Sequence, residues 1–301
     1  MRLFETANYS LIPNRKKGYI TSAILLAMSF ISLLTFGLEL GIDFKGGMEF
    51  IVTSDTELNV TEVRSELGEV LGRPPEVKTY DDDILVRTTD DGEISVVQAQ
   101  IIDGINAAFP NSNAEVVGTD IVGPRFAEDL ARGAVYSIFG SLLVIFIYIL
   151  IRFEWRFGIG AIAALAHDVT IVLGIFSLLK GLDIVPFSLQ IDQTIIAAFL
   201  TIVGYSLNDT VVIFDRIREY TNIFKTEAYS AVVNKSINNT LSRTVVTSLT
   251  TLLVVMTLFI LGGEVLRGFA FALIIGILIG TYSSIWVASP IVVELRQRAA
   301  K

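Results

Sequence analysis

The chain has 301 residues, 52% of them hydrophobic, and a mean hydropathy of +0.62, values that exclude an ordinary soluble domain. The net charge of −8 is local: roughly twenty acidic residues against about seven basic ones lie between residues 39 and 133, so the remainder is net basic and no nucleic-acid-binding character follows. With no cysteine and a single histidine, neither a disulfide nor a metal site is expected.

Six apolar runs have the length of about 20 residues that crosses a bilayer. They lie at 18–38, 134–151, 157–179, 194–214, 244–261 and 266–288. The first follows Arg15, Lys16 and Lys17, is too long for a signal-peptide core and lacks a small-residue cleavage pattern, so it reads as an uncleaved anchor. Arg2, the 15–17 cluster, Arg152, Arg156, Arg216, Arg218, Lys225, Lys235, Arg296, Arg298 and Lys301 then all fall on one side. The positive-inside rule makes that side cytoplasmic, with both termini (1–17 and 289–301) inside and 39–133 outside.

The outer segment alternates strand and helix signals: strand 48–53, helix 60–71, strands 76–80 and 83–88 around the acidic turn Asp81–Asp82, helix 94–109 and strand 114–122. That order, βαββαβ, predicts a ferredoxin-like α+β domain between the first and second of six transmembrane helices. Glycine-bearing elements flank it: Gly41-Ile-Asp43-Phe-Lys-Gly46-Gly47 at its entrance and Val122-Gly123-Pro124 at its exit. Gly41, Asp43, Gly46, Gly47, Gly123 and Pro124 read as hinge or docking points, or as tight turns leaving a membrane helix. No phosphate-binding loop pattern is present.

Within the spans, the charged residues carry the functional signal. A carboxylate near mid-membrane costs roughly 2.5–3.5 kcal/mol, so it is kept where it faces protein or a water path. Asp209 lies in the fourth run, about 9 Å from its cytoplasmic end at 1.5 Å per residue. Thr201, Tyr205, Asn208, Asp209 and Val212 share a helix face. Arg243 stands at the mouth of the fifth run, whose first turns carry Thr244, Thr247, Ser248 and Thr251. An Asp209–Arg243 attraction that is lost on protonation would make a switch, while a packing aspartate and a snorkelling arginine are the plainer alternative. His167 and Asp168 lie at depth in the third run. As sequence neighbours they are expected on different helix faces, which favours interhelical hydrogen bonding over a relay. Asp215 and Arg216 are expected at the cytoplasmic interface, within reach of Arg152, Glu154 or Arg156. Gly276-x-x-x-Gly280 lets another helix approach closely, a partner's helix included.

Several of these segments together resemble the SecF family of bacterial protein-translocase subunits, which are themselves similar to RND transporters. They are Gly41–Gly47, Arg152-Phe-Glu-Trp-Arg-Phe157, Ala164-Leu-Ala-His-Asp168, Val203–Arg216 with its Asn-Asp-Thr-Val core, Leu241-Ser-Arg-Thr244 and Gly280-Thr-Tyr-Ser-Ser284. The resemblance implies a multi-pass subunit of the bacterial cytoplasmic (inner) membrane that forms one six-helix half beside SecD. It would work next to the SecYEG channel on translocating polypeptides, using the proton-motive force for late-stage export, with no covalent catalysis and no cofactor. It also implies that Asp209 and Arg243 line the proton path. A proton-coupled small-molecule transporter half and a non-conducting scaffold are the competing readings. Sodium is an alternative coupling ion.

Overall fold

The computed structural model describes residues 7–299 except 74, 90, 91, 183, 186 and 188. Arg2 and Lys301, used above to orient the chain, lie outside the described residues. Six helices are long and apolar enough to cross a membrane: α1 (Arg15–Thr35), α5 (Pro124–Arg152), α6 (Trp155–Leu182), α7 (Gln193–Ile223), α8 (Tyr229–Leu261) and α9 (Gly263–Ser283) with its continuation. Between α1 and α5 come the one-turn helix α2 (Ile42–Lys45) and the elements β1 (Gly47–Thr53), α3 (Val60–Val70), β2 (Glu76–Tyr80), β3 (Asp83–Thr88), α4 (Ile94–Ala108) and β4 (Glu115–Val122). Both the helix count and the βαββαβ order match the expectation.

The four strands form one antiparallel sheet in the order β2-β3-β1-β4. Burial alternates along β1, so Met48, Phe50 and Val52 point to one face, the period-2 pattern of a strand with one covered side. That face meets Val63 and Leu67 of α3 and Val97, Ile101 and Ile105 of α4. Asn59 caps α3 by accepting from the Thr61 and Glu62 amides, which satisfies two donors at the helix start. Asp81, at φ 52°, turns β2 into β3.

Hydropathy misplaces four helix ends, that of α7 among them, expected at 214 and found at Ile223, because it registers lipid-facing apolarity, whereas helix formation continues through polar residues. The helix expected from 134 begins ten residues earlier, at Pro124, whose fixed φ suits a first helical position, and Glu128 pairs with Arg132 at 2.5 Å along it. The span expected from 244 begins at Tyr229. Its polar first turns hold the N-terminal segment: Asn234 accepts from the Leu11 and Ile12 amides, Asn238 accepts from the Tyr9 amide at 2.7 Å, and both amide groups donate back to Tyr9 O. The last span runs from α9 through a π-helical turn, Ser284–Ala288, into α10 (Ser289–Ala299).

The membrane-embedded part has two apolar clusters with polar groups between them. One holds Phe153, Phe157 and Phe214, whose rings meet at 4.8–6.1 Å, with Ile217, Val233 and Val292. The other holds Phe176, Phe199, Ile195, Ile202 and Leu273. On α1 the buried residues are Gly18, Ser22, Ser29 and Ser32, while Ile20, Ile24, Met28 and Ile31 are exposed. This inversion of soluble-protein patterning suits a helix whose solvent is lipid and whose neighbour must come close.

The sheet domain is docked on the segment leading into α7. Leu40 and Ile191 form a parallel bridge, with Gly41 N donating to Ile191 O at 2.9 Å and Ile191 N to Glu39 O at 2.7 Å. Glu39 Oε1 accepts from Lys78 Nζ (3.1 Å) and Gln190 Nε2 (2.6 Å), and Lys78 also pairs with Glu76 at 2.5 Å. Gly46 and Gly47 have positive φ, and a Cβ on Gly47 would meet Thr88 O at 2.5 Å, so this entry to β1 admits only glycine.

Glu39 and Glu76 are shifted in opposite directions at this junction. Burial raises both carboxyls. For Glu39 it is outweighed by the hydrogen bond from Glu76, the Lys78 charge and Gln190, which hold it at about 2. Glu76 stays raised, by burial and then by its bond to Glu39, against the opposing pull of Lys78. Arg64 of α3 and Lys180 of α6 face the same cleft, and Arg73, Arg87 and Lys45 line the adjoining one. The stability that Glu76 contributes is therefore full below the ordinary glutamate pKa and is lost as pH rises through its raised value; that of Glu39 is lost only as pH falls towards about 2. The melting temperature of the purified protein is expected to rise on going from about pH 8 to about pH 5 by more than that of Glu76→Gln. Equal pH dependence in the two proteins would refute the upward shift of Glu76.

Candidate functional site

The polar layer between the two apolar clusters divides into two networks. The first surrounds Asp209, which α7 carries at 4% exposure. Ser248 Oγ of α8 donates to Asp209 Oδ2 at 3.4 Å and meets Thr281 Oγ1 of α9 at 2.7 Å; Thr281 donates in turn to Ile277 O. Tyr205 Oη, one turn from Asp209 on α7, and Thr244 Oγ1, one turn from Ser248 on α8, are buried hydroxyls without a hydrogen-bond partner. Asn208 is exposed on the adjoining face. Arg243 is also exposed, and no ion pair joins it to Asp209.

The second network lies on α6. His167 Nδ1 is 2.9 Å from Asp168 Oδ1 and His167 Nε2 is 3.1 Å from Ser22 Oγ of α1; Asp168 Oδ2 accepts from Ser206 Oγ of α7 (2.6 Å) and Ser283 Oγ of α9 (2.7 Å). Both side chains are buried, Asp168 completely. The expectation that adjacent residues face apart fails here, because the imidazole swings sideways along the helix and is held in that pose from its far nitrogen. Interhelical hydrogen bonding is nevertheless what the pair does, joining α6 to α1, α7 and α9.

Four consecutive hydroxyl-bearing residues on α9 and the π-helical turn each bond a different set of partners. Thr281 goes to Ser248, Tyr282 to Gly18 O and Ser22, Ser283 to Asp168, and Ser284 O accepts from Ser289. Local insertions of this kind often occur at functional sites. Sequence reasoning assigned no role to Ser22, Ser206, Thr281 or Ser283. Their one available signal was hydroxyls recurring within apolar runs that also hold an acid. Gly276 and Gly280 are spent inside this chain: a Cβ on Gly276 would run into the Ile202 side chain, and one on Gly280 would lie 2.9 Å from Ser206 Cβ, so the motif seats α9 against α7.

At the end of the bundle where α5 gives way to α6, Arg152 and Arg218 both pair with Asp215, at 3.0 and 3.2 Å, Arg216 pairs with Glu219, and Arg156 with Glu154. At the opposite end, Asp43 accepts from the Gln193 amide, Gly41 lies against Asp192, and Pro124 packs beside Gly46 with Gly123 as the residue capping α5. Among the described residues no cluster of three His, Cys, Asp or Glu could hold a metal ion.

Residues 103–298 match the family model for the C-terminal region of the protein-export membrane proteins SecD and SecF, and residues 31–57 match the SecD/SecF GG motif. The chain belongs to the SecD/SecF family. Across its whole length this SecD/SecF chain is 66% identical to the protein translocase subunit SecF of Rhodothermus marinus, covering 97% of that protein. It is 39% identical to SecF of Haemophilus influenzae, over 94% of this chain and 85% of the relative. The crystal structure of SecDF, a translocon-associated membrane protein from Thermus thermophilus, superposes with a TM-score of 0.87 at 36% identity over 99% of this chain. This SecD/SecF chain spans 40% of the length of that SecDF chain. A second SecDF structure, in a super-membrane-facing form, gives a TM-score of 0.72.

Proposed function

We propose that this chain is a SecF-type subunit of the Sec protein translocase, one six-helix half that works with SecD beside the SecYEG channel. It draws on the proton gradient to promote the late, outer stage of protein export, and its work is conformational, with no covalent catalysis. Asp209 and Arg243 form the ion path. The observation that carries this reading is Asp209 itself, a buried carboxyl in a membrane-spanning helix whose described side-chain partner is a hydroxyl and not a cation. Such a group is costly unless exchange of its proton is its use. The exposed Arg243 and Asn208 lie on the adjoining surface, where SecD helices supply the missing protein environment.

The orientation places the ion pairs of Arg15, Arg152, Arg156, Arg218 and Lys235 at the cytoplasmic ends and the sheet domain outside, in a bacterial cytoplasmic membrane. The test is protein export driven by an imposed proton gradient, in membranes carrying the native chain or Asp209→Asn at equal levels. Asparagine keeps the size and removes the titration. The variant is expected to lose the whole gradient-dependent gain; equal gain would reduce the chain to a scaffold for its partner.

A further inference from the structure

The short helix α2 lies between the two membrane helices that border the external domain. It packs along α5, and its Asp43 Oδ2 accepts from the amide of Gln193, the first residue of α7, at 2.8 Å. Asp192 caps the same helix from its own side through the Ile195 amide at 2.7 Å. The helix that carries Asp209 therefore has its outer end held by two carboxylates, one of which belongs to the base of the external domain. The bridge between Leu40 and Ile191 and the Glu39 bonds to Lys78 and Gln190 extend this seam on one side of Asp43.

An α-helix transmits displacement along its axis because every turn is hydrogen-bonded to the next. Gln193 and Asp209 stand on one uninterrupted helix, about 24 Å apart at 1.5 Å per residue. A shift of α7 at Asp209 is delivered to the Gln193 amide that Asp43 holds. We propose that Asp43 is a positioning residue that couples α7 to the external domain, and that the seam between the 39–43 and 190–193 segments opens and closes in each export cycle. The inference rests on the gradient-coupled reading above. It assigns Asp43 a clamp where the sequence offered a hinge or a turn, and it makes the outer end of α7 the place where ion movement becomes domain movement.

The absence of cysteine makes the test clean. Leu40→Cys with Ile191→Cys places two thiols across a parallel bridge, where neighbouring strands lie about 4.7–4.9 Å apart, within the reach of a disulfide. In membranes containing the full translocase, oxidation of the pair is expected to bring gradient-driven export down to its gradient-free level, and reduction to restore it. Asp43→Ala is expected to lose most of the gradient-dependent gain at an unchanged membrane level, with Asp43→Asn, which keeps an acceptor oxygen, retaining most of it. Full export through a completely oxidised pair, or Asp43→Ala behaving as native, overturns the inference. With Asp209→Asn run in parallel the two failures separate. If that variant loses its gain while the locked pair exports normally, the seam is static and the ion path stands; if it exports as native, the gradient-coupled reading falls and the clamp with it.

Discussion

Replacing Asp168 with alanine is expected to destabilise the membrane-embedded helices by about 2–5 kcal/mol, read as a shift in the unfolding midpoint when the purified protein is titrated with sodium dodecyl sulfate. Asp168 is fully buried and is acceptor to Ser206 and Ser283 and partner to His167. Its removal takes the shared acceptor from His167 of α6, Ser206 of α7 and Ser283 of α9 at once, leaving Ser283 only its bond to Gly280 O. A single interhelical hydrogen bond in a membrane protein is worth about 0.6 kcal/mol on average, so the size of the effect depends on these bonds sharing one ionisable acceptor. Asp168→Asn should cost less, because one oxygen remains and the two serine hydroxyls can rotate to accept from the new amide. The same variant separates packing from relay. If Asp168→Asn keeps gradient-driven export while its unfolding midpoint falls, the His167–Asp168 pair is a fastener. Loss of export with an unchanged midpoint would put it on the ion path.

The energies place the moving seam and the fixed one. One elementary charge crossing 100 mV releases about 2.3 kcal/mol. The Asp43–Gln193 bond joins a carboxylate to an amide on the solvent side, at the low end of the roughly 1.5–3 kcal/mol for hydrogen bonds to charged groups. A single ion can therefore release it. The Asp168 cluster, with three partners in the buried centre, costs as much as one ion releases or more. On the proposed coupling, the Gln193 end of α7 is the part that gives, and the junction of α6 with α1, α7 and α9 is the part that holds.

What could be read from the residues follows from what each pattern encodes. Asp209 was legible because a carboxylate inside an apolar run stands out against its neighbours, and the sheet domain because alternation in 48–53 and the two amphipathic helices are local signals. The long reach of α5 and α8 was not: Glu128 and Arg132 form helix as readily as leucine does, and Asn234 and Asn238 are held by the backbone of Tyr9, Leu11 and Ile12, yet all four lower the hydropathy that marks a span. The contacts of Ser22 with His167 and of Asp43 with Gln193 join residues 145 and 150 positions apart, and nothing local in either partner names the other. The pairing of His167 with Asp168 was misjudged for a different reason: helix geometry fixes where Cβ points and leaves the ring free to turn.

Gly174→Val is expected to part α1 from α6. An ideal Cβ on Gly174 would sit 2.5 Å from Ser29 Cα and collide with Ser29 Cβ as well, and backbone atoms cannot step aside as a flexible side chain can. One turn further along, Ser32 Oγ donates to Ser177 Oγ at 3.0 Å, a bond that survives only at this close approach. Overpacking a tight interface typically costs about 1–3 kcal/mol, and here the displaced helix also takes Ser22 away from His167. Gly140→Val is the control, because a Cβ at Gly140 on the exposed face of α5 meets nothing within 4 Å. Titration with sodium dodecyl sulfate should lower the midpoint of Gly174→Val well below that of Gly140→Val. The loss should be less than additive when Gly174→Val is combined with Asp168→Ala, since both sever the link from Ser22 through His167. Additive losses would mean that α1 is held by its glycine and serine face alone and that the buried histidine contributes nothing to that seam.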